Sequence, residues 1–141
     1  MMDLRQNLIK VALEWQQQYG VAPAITSALS EYDAAKLIEM SDKDYAEYMR
    51  DKTAVCRGHD FIHKNMRYQI KAHRPSGKPG SFITNAGKAR NYDWDFLIWI
   101  RYNAEYEIQE AWAWKREEYI TSFDSLSRIS PADMRNGKRL A

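Results

Sequence analysis

The chain has 141 residues, of which 45% are hydrophobic and 28% are charged. This composition excludes disordered and fibrous classes, and the length suits one domain whose core needs no disulfide or metal to hold it together. Cys56 is the single cysteine, which rules out an internal disulfide and leads us to expect a reducing, cytoplasmic location. No run of about 18 apolar residues and no leader pattern is present, so we expect no membrane association.

Three helices are predicted in the first third of the chain. Apolar residues recur at helical spacing through residues 3–19, and Gly20 ends that pattern. A second helix is predicted for residues 27–40 and a third for residues 42–50, with Ser41 as its capping residue. The apolar stripe of the first helix consists of Leu4, Leu8, Val11, Trp15 and Tyr19.

The pattern then changes to the period of two that is typical of strands. Residues 59–63 and 66–73 are predicted to form a hairpin across Lys64-Asn65, because asparagine tolerates the left-handed turn conformation. Residues 74–92 are rich in Gly, Pro, Lys and Arg and are predicted to form a long loop.

Two more strands and a helix complete the predicted order. The uninterrupted apolar run 96–100 suits a central strand that is buried on both faces, and residues 106–112 suit its neighbour. A short helix follows over residues 114–123, and residues 124–141 lack a long apolar face and are predicted to be a tail. We therefore expect one α/β domain over residues 1–123, a mixed sheet with helices against it.

The positive charge is concentrated in the middle of the sequence. Residues 57–90 contain eight Lys or Arg and one acid, whereas residues 1–56 and 91–141 are both net negative. A basic segment between acidic flanks is the pattern expected of a site for a polyanion such as DNA, although a solvated basic loop would give the same count.

The hairpin places several polar residues on one face. With a two-residue turn, Asp60 lies opposite Gln69, and Lys71 shares the face of Gln69 because side chains alternate along a strand. The other face carries Phe61, Tyr68 and Ile70, which suit a core. Charged groups on the inner face of a hairpin are unfavourable unless they bind something.

These residue types suit a hard cation and phosphodiester hydrolysis. Mg²⁺, or Mn²⁺ in its place, takes oxygen ligands, which the Asp60 carboxylate, the Gln69 amide and the Ile70 carbonyl can supply. A lysine at position 71 can orient the attacking water and offset the charge of the phosphate. The structural alternative is an Asp60–Lys71 ion pair without catalysis.

The segment Gly58-His59-Asp60-Phe61-Ile62, followed by Gln69-Ile70-Lys71, resembles the D-x(n)-(D/E)-x-K motif of the PD-(D/E)xK nuclease superfamily. Asp60 and Lys71 match that motif, and Gln69 replaces its usual acid. The resemblance implies a restriction-endonuclease-like αβββαβ core, here with an extra N-terminal helix. It also implies a glutamate on the helix before the first strand, and Glu31 is the candidate because it lies on a stripe with Ala28, Ala35 and Ile38.

Four cations in the predicted loop are candidates for contacts with the DNA backbone. They are interleaved with glycines, which let backbone N–H groups approach phosphates. A solvated flexible loop is the alternative interpretation. The four residues are Arg74, Lys78, Lys88 and Arg90.

The sequence thus predicts a Mg²⁺-dependent DNA endonuclease that uses Asp60, Gln69, Lys71 and Glu31. Cutting both strands of a duplex would favour a homodimer. Two alternatives stay open: a weakly active or inactive binding module for DNA or protein, favoured by Gln69, and a nuclease directed at RNA. A structural zinc site made of Cys56 and the three histidines is disfavoured, since their spacing fits no common zinc pattern.

Overall fold

The computed structural model describes residues 2–52 and 58–141, which form helices on both faces of one mixed sheet. Three helices precede the hairpin, as the sequence predicts, and two further strands follow a long connection. The elements are α1 (Leu4–Tyr19), α2 (Thr26–Leu37), α3 (Asp42–Asp51), β1 (Phe61–His63), β2 (Met66–His73), β3 (Phe96–Tyr102), β4 (Ile108–Lys115), α4 (Arg116–Phe123), α5 (Pro131–Met134) and β5 (Lys138–Arg139).

The five strands lie in the sheet in their sequence order. β2 and β3 are parallel, and the other neighbouring pairs are antiparallel. This arrangement confirms the predicted mixed sheet of an α/β domain. Residues 74–95 join the parallel pair and contain neither helix nor strand, so four strands precede α4, whereas the expected αβββαβ order has three before its second helix.

The hairpin has the predicted register. Lys64 and Asn65 both have positive φ angles, 51° and 63°, which suit the tight turn whose twist matches that of the strands. His63 pairs with Met66 and Phe61 with Tyr68. Continuing the same register by one residue places Asp60 beside Gln69.

The central strand β3 contributes to two separate cores, because its side chains alternate between the faces of the sheet. Ile98 and Ile100 join the core beneath α1 and α2, whereas Leu97 and Trp99 join the core beneath α4. All four are at most 1% exposed, which confirms the prediction that this strand is buried on both faces.

Helix α1 is present as predicted, but its long apolar stripe is not its buried face. Asp3 caps its start by accepting from the Gln6 N–H, and Gly20 ends it with φ 87°. The buried positions are Ile9 and Ala12. The ion pair of Arg5 with buried Asp33 fixes the rotation of the helix and leaves the predicted stripe facing outward.

Residues 124–141, predicted as a tail, are folded against the sheet. Ile129 and Met134 are each 1% exposed, and β5 pairs with β4. Buried Glu110 accepts from Arg135 at 2.6 Å, which anchors the segment to β4. These spaced contacts hold the segment without a continuous apolar face, and for that reason hydrophobic periodicity did not predict its folding.

Within the described residues, no helix is long and apolar enough to cross a membrane.

A buried carboxylate joins the first core to both of its outer helices. The Asp33 carboxylate accepts from Arg5 Nε at 2.6 Å, from Arg5 Nη2 at 2.9 Å and from the Tyr102 hydroxyl at 2.7 Å. Arg5 lies on α1, Asp33 on α2 and Tyr102 on β3. Burial and the neighbouring carboxylate raise the pKa of Tyr102, so the hydroxyl keeps its proton and remains a donor.

We predict that Asp33→Ala lowers the free energy of unfolding by about 3 kcal/mol, because it strands a partly buried guanidinium and a buried hydroxyl. Tyr102→Phe, which removes one hydrogen bond, should lower it by about 1 kcal/mol. Urea denaturation followed by far-UV circular dichroism measures both. Lys36→Ala, which breaks an exposed ion pair with Asp42, is the control and should stay near the natural protein. A small effect of Asp33→Ala would contradict this role of the network.

Candidate functional site

A polar cavity of about 240 Å³ lies between helix α2 and the hairpin, and we call it the α2–hairpin cleft. It gathers Glu31, Asp60, Gln69 and Ile70, which are the four residues predicted from the sequence to hold a metal ion. The full lining comprises Thr26, Ser27, Ser30, Glu31, Asp60, Gln69, Ile70 and Ala72.

Asp60 is held at the mouth of the hairpin by backbone hydrogen bonds. Its N–H donates to the Tyr68 carbonyl at 2.7 Å, and its carboxylate Oδ2 accepts from the Ile70 N–H, also at 2.7 Å. The strand β1 begins one residue later, so Asp60 lies just before the strand and is fixed in position by these two hydrogen bonds. One carboxylate oxygen is thereby oriented by the protein itself.

Glu31 and Asp60 lie within hydrogen-bonding distance of each other. Burial, the hydrogen bond to Asp60 and the charge of Asp60 raise the pKa of Glu31 to about 7, and the Lys52 ammonium opposes this shift. Two carboxylates at such a distance share a proton near neutral pH because both cannot be charged without a compensating cation. Among the described residues that line the cleft, no side chain carries a positive charge to offset this carboxylate pair.

Lys71 lies on the other face of β2 from helix α2, on the side of Trp99, and does not line the cleft. Its position pairs with Trp99 on β3, and burial together with the charge of Arg90 lowers its pKa, while the charge of Asp60 opposes this effect. The charge of Asp60 thus acts on Lys71, while the predicted grouping of both with Gln69 around one metal ion stays a prediction. A lysine with a lowered pKa is better suited to handle a proton than an ordinary exposed one.

Gln69 offers the cleft an amide in place of a carboxylate. Its Nε2 makes only a long contact, 3.5 Å, with the Ile70 carbonyl oxygen. Such a weak contact leaves the amide able to turn its oxygen into the cleft at little cost.

The four predicted loop cations differ in how firmly the fold engages them. Arg74 donates to the Ala104 carbonyl at 2.9 Å and to Gln16 Oε1 at 2.6 Å, and it stacks on the Tyr106 ring. Lys88 Nζ donates to the Asp124 carbonyl at 2.6 Å. The side chains of Arg74 and Lys88 therefore hold the loop against the rest of the fold.

Lys78 and Arg90 are the exposed members of the set. Lys78 lines a second cavity of about 330 Å³, together with Arg74 and Ser76. Thr26 lines both this cavity and the α2–hairpin cleft. The acidic cleft and a cation-lined cavity are therefore neighbours around the start of α2.

Lys52 is a site residue that the sequence did not single out. Its Nζ donates to the Asp60 carbonyl oxygen at 2.8 Å, and its charge opposes the raised pKa of Glu31. Nothing in the local pattern after α3 marks this lysine, because its role follows from the packing of α3 beside the hairpin. The one sequence feature that could have indicated this role is the separation of Lys52 from Asp60 by only eight positions.

The zinc alternative stays untested, because one member of its suggested ligand set lies outside the described residues. Across residues 2–52 and 58–141, no three His, Cys, Asp or Glu side chains converge as a metal-binding group. His63 lies in a different cavity, beside Asp44 and Glu47. Cys56, one of the four members of the suggested set, lies outside the described residues.

No protein-family model matches this chain, and no curated protein sequence matches it. Its function must therefore be argued from the geometry of the cleft.

We predict that the raised pKa of Glu31 makes stability depend on pH. Its folded pKa of about 7 exceeds the unfolded value, so the stabilisation is fully present below pH 4.5 and disappears as the pH rises through 7. Glu31→Gln removes the unfavourable charge. At pH 8 it should raise the free energy of unfolding by about 1–2 kcal/mol, after allowance for partial exposure, and the gain should vanish near pH 4.

Urea titrations at pH 4, 6 and 8 without divalent ions measure this difference. Glu118→Gln, on the exposed face of α4, is the matched control and should show no such trend. A Glu31→Gln variant that is equally stable relative to the natural protein at all three pH values would contradict the carboxylate pair.

Proposed function

We propose that this protein is a Mg²⁺-dependent nuclease that hydrolyses phosphodiester bonds in DNA. The observation that carries the proposal is the pair of carboxylates, Glu31 and Asp60, held together in the α2–hairpin cleft, whose described lining contains no cationic side chain. A structural pair would be expected to face a cation. Here Lys52 reaches the backbone carbonyl of Asp60 rather than either carboxylate.

The donor set fits a hard divalent cation. Mg²⁺ is usually held by one or two carboxylates and keeps room for phosphate oxygens and water. Glu31 and Asp60 supply the carboxylates, and the Gln69 amide and the Ile70 carbonyl lie on the same lining. A cation bound there supplies Lewis-acid polarisation of a phosphodiester.

The remaining chemistry belongs to side chains of the chain itself. Lys71 does not line the cleft, but it interacts electrostatically with Asp60, and in its neutral form it would accept a proton from the attacking water. Its ammonium form stabilises the charge that develops on the phosphate oxygens in the transition state. Asp60, fixed by the Ile70 N–H, holds the reacting centre at a constant place relative to β2.

The neighbouring cavity gives the polyanion a path away from the cleft. A strand whose scissile phosphate lies by Asp60 would place a flanking phosphate near Lys78 and Ser76, across the shared wall at Thr26. Arg74 adds positive potential there, while its donors stay engaged with the fold. Nothing in this path selects deoxyribose, so RNA is the competing substrate.

The arrangement supports, as part of the proposal, a relationship to the PD-(D/E)xK nucleases. The residues of the resembling motif lie on one antiparallel hairpin, and the glutamate candidate lies on a preceding helix. Gln69 and the four strands before α4 are the departures from that pattern. The restriction-endonuclease-like core therefore remains a proposal that rests on the site.

A binding module without catalysis is the second candidate function. Gln69 favours it, because an amide in place of a carboxylate removes one negative charge from the cation site. The same cleft would then recognise phosphate through a weakly held cation or not at all.

We predict that Asp60→Asn abolishes Mg²⁺-dependent cleavage of DNA while folding persists, because the amide keeps an acceptor for the Ile70 N–H but loses the charge. Lys71→Ala should reduce the cleavage rate at least about 100-fold with little change in DNA affinity, since it acts in the transition state. Gel assays of plasmid and oligonucleotide cleavage measure the rates, and Lys138→Ala on exposed β5 is the control.

Gln69→Glu separates the two candidate functions. It restores the usual acid of the motif and should tighten binding of Mn²⁺ in a calorimetric titration. Cleavage by this variant alone would favour a binding module descended from a nuclease. If neither form cuts nucleic acid or binds Mn²⁺, the nuclease proposal is wrong.

We also predict that the exposed cations control the salt dependence of DNA binding. Lys78→Ala and Arg90→Ala should each reduce the slope of log Kd against log salt concentration by about 1, for any DNA sequence. Arg74→Ala should instead lower stability, because it loses contacts with Gln16, Ala104 and Tyr106. Fluorescence anisotropy at several salt concentrations measures the slopes, and unchanged slopes would place the DNA path elsewhere.

A further inference from the structure

The exposed apolar surface of the protein is concentrated on one helix. Of the eleven large hydrophobic residues that are exposed in the described part of the chain, seven lie between Met2 and Val21. Five of them form one line along α1, the α1 stripe. Their exposed fractions are Leu4 86%, Leu8 38%, Val11 56%, Trp15 50% and Tyr19 63%.

The α1 stripe is larger than a chance patch. It runs for about 22 Å along the helix axis. Together its side chains expose on the order of 500 Å², which is in the range where patches mark interaction sites. The rings of Trp15 and Tyr19 already pack on each other, with centroids 4.8 Å apart, so their part of the surface is ordered before any partner arrives.

The α1 stripe neither packs in the core of the fold nor lines the α2–hairpin cleft. The adjacent side of α1 provides its packing through Ile9 and Ala12, and no stripe residue lines the α2–hairpin cleft. Trp15 is also the most exposed of the five tryptophans, of which Trp94, Trp99 and Trp114 are buried. Exposing a tryptophan in the middle of an apolar line is unfavourable in water unless another surface covers it.

We infer that the α1 stripe binds the same stripe of a second copy of this chain, with the two helices antiparallel. The stripe is symmetric in spacing about a point between Val11 and Ala12: Leu4 and Tyr19 lie equally far from that point, and so do Leu8 and Trp15. An antiparallel twofold pairing about that point brings Leu4 opposite Tyr19 of the partner subunit and Leu8 opposite Trp15 of the partner subunit. Each large ring then meets a smaller aliphatic side chain.

The charges on the open flank of α1 are complementary in the same arrangement. Lys10 and Glu14 lie there, 58% and 62% exposed, and form a loose pair within one helix. The antiparallel register brings Lys10 to within one residue, about 1.5 Å along the axis, of the position opposite Glu14 of the partner subunit, twice per dimer. The antiparallel arrangement of the two helix dipoles is also favourable, whereas a parallel pairing would place the like-charged ends of the two dipoles side by side.

A lipid surface is a poorer fit than a second copy. Helices that lie on membranes carry an excess of Lys and Arg on their polar face. Residues 3–19 contain two acids, Asp3 and Glu14, and two cations, Arg5 and Lys10, so they offer no net attraction to anionic lipid.

The available area sets the expected strength of the dimer. Pairing two stripes removes about 1,000 Å² from water in total, which is at the lower limit of specific interfaces. The dimer should therefore dissociate on dilution.

Analytical ultracentrifugation of the full chain, from low to high micromolar concentration, tests the inference. The natural protein should shift from monomer to dimer as concentration rises, and acrylamide quenching of tryptophan fluorescence should fall with it as Trp15 is covered. Val11→Glu places two like charges at the twofold axis and should weaken association at least about tenfold. Leu126→Glu, an equally apolar residue that is 40% exposed away from α1, is the control and should leave association unchanged.

Charge reversal tests the orientation and does not depend on the folding of Val11→Glu. Lys10→Glu and Glu14→Lys each set like charges opposite each other and should weaken self-association. Mixing these two variants should restore association, since each then meets the opposite charge. Circular dichroism checks that the helices are retained.

Four results would overturn the inference. The first is a natural protein that stays monomeric throughout the concentration range. The second is a dimer that Val11→Glu leaves intact while the helices are retained. The third is a pair of charge variants that associate no better mixed than alone. The fourth is a monomer that binds phospholipid vesicles through Trp15.

Discussion

The buried carboxylate of Asp33 is the constraint on which the rest of this structure depends. It accepts from Arg5 on α1 and from Tyr102 on β3, so three elements meet at one charge. Asp33 and Glu31 lie two residues apart and therefore on nearly opposite sides of α2. Fixing Asp33 on one side sets the rotation of the helix, and that rotation brings Glu31 to Asp60 on the other. The same ion pair rotates α1 and leaves its apolar stripe outward.

The hairpin shows how far local patterns reach. Its register follows from the alternation of residues 59–73 and from a turn that accepts positive φ angles, and both are properties of neighbouring residues. The meeting of Asp60 with Gln69 could therefore be predicted. Glu31 could be proposed only through the resemblance to a nuclease motif, and Ala28 on its suggested stripe is in fact exposed.

Other features could not be predicted because they depend on tertiary partners. The periodicity of α1 shows that an apolar face exists but not whether this chain covers it, and the ion pair of partly buried Arg5 with Asp33 reversed the expectation. Arg74 lies in a Gly- and Lys-rich segment that is typical of phosphate-binding loops. Its guanidinium nevertheless donates hydrogen bonds to Gln16 and Ala104, which are both distant in sequence. Residues 124–141 fold through Glu110 and a few spaced contacts that no sequence window contains.

The two outer strands of the sheet are its shortest, with three residues in β1 and two in β5. Strands of seven and eight residues lie between them, and an unpaired edge of that length is a template on which other chains add as strands. β5 covers the outer edge of β4, and Arg139 closes over the Trp112 ring beside it. The last few residues of the chain thus protect it against fibrous aggregation, a task separate from any chemistry in the cleft.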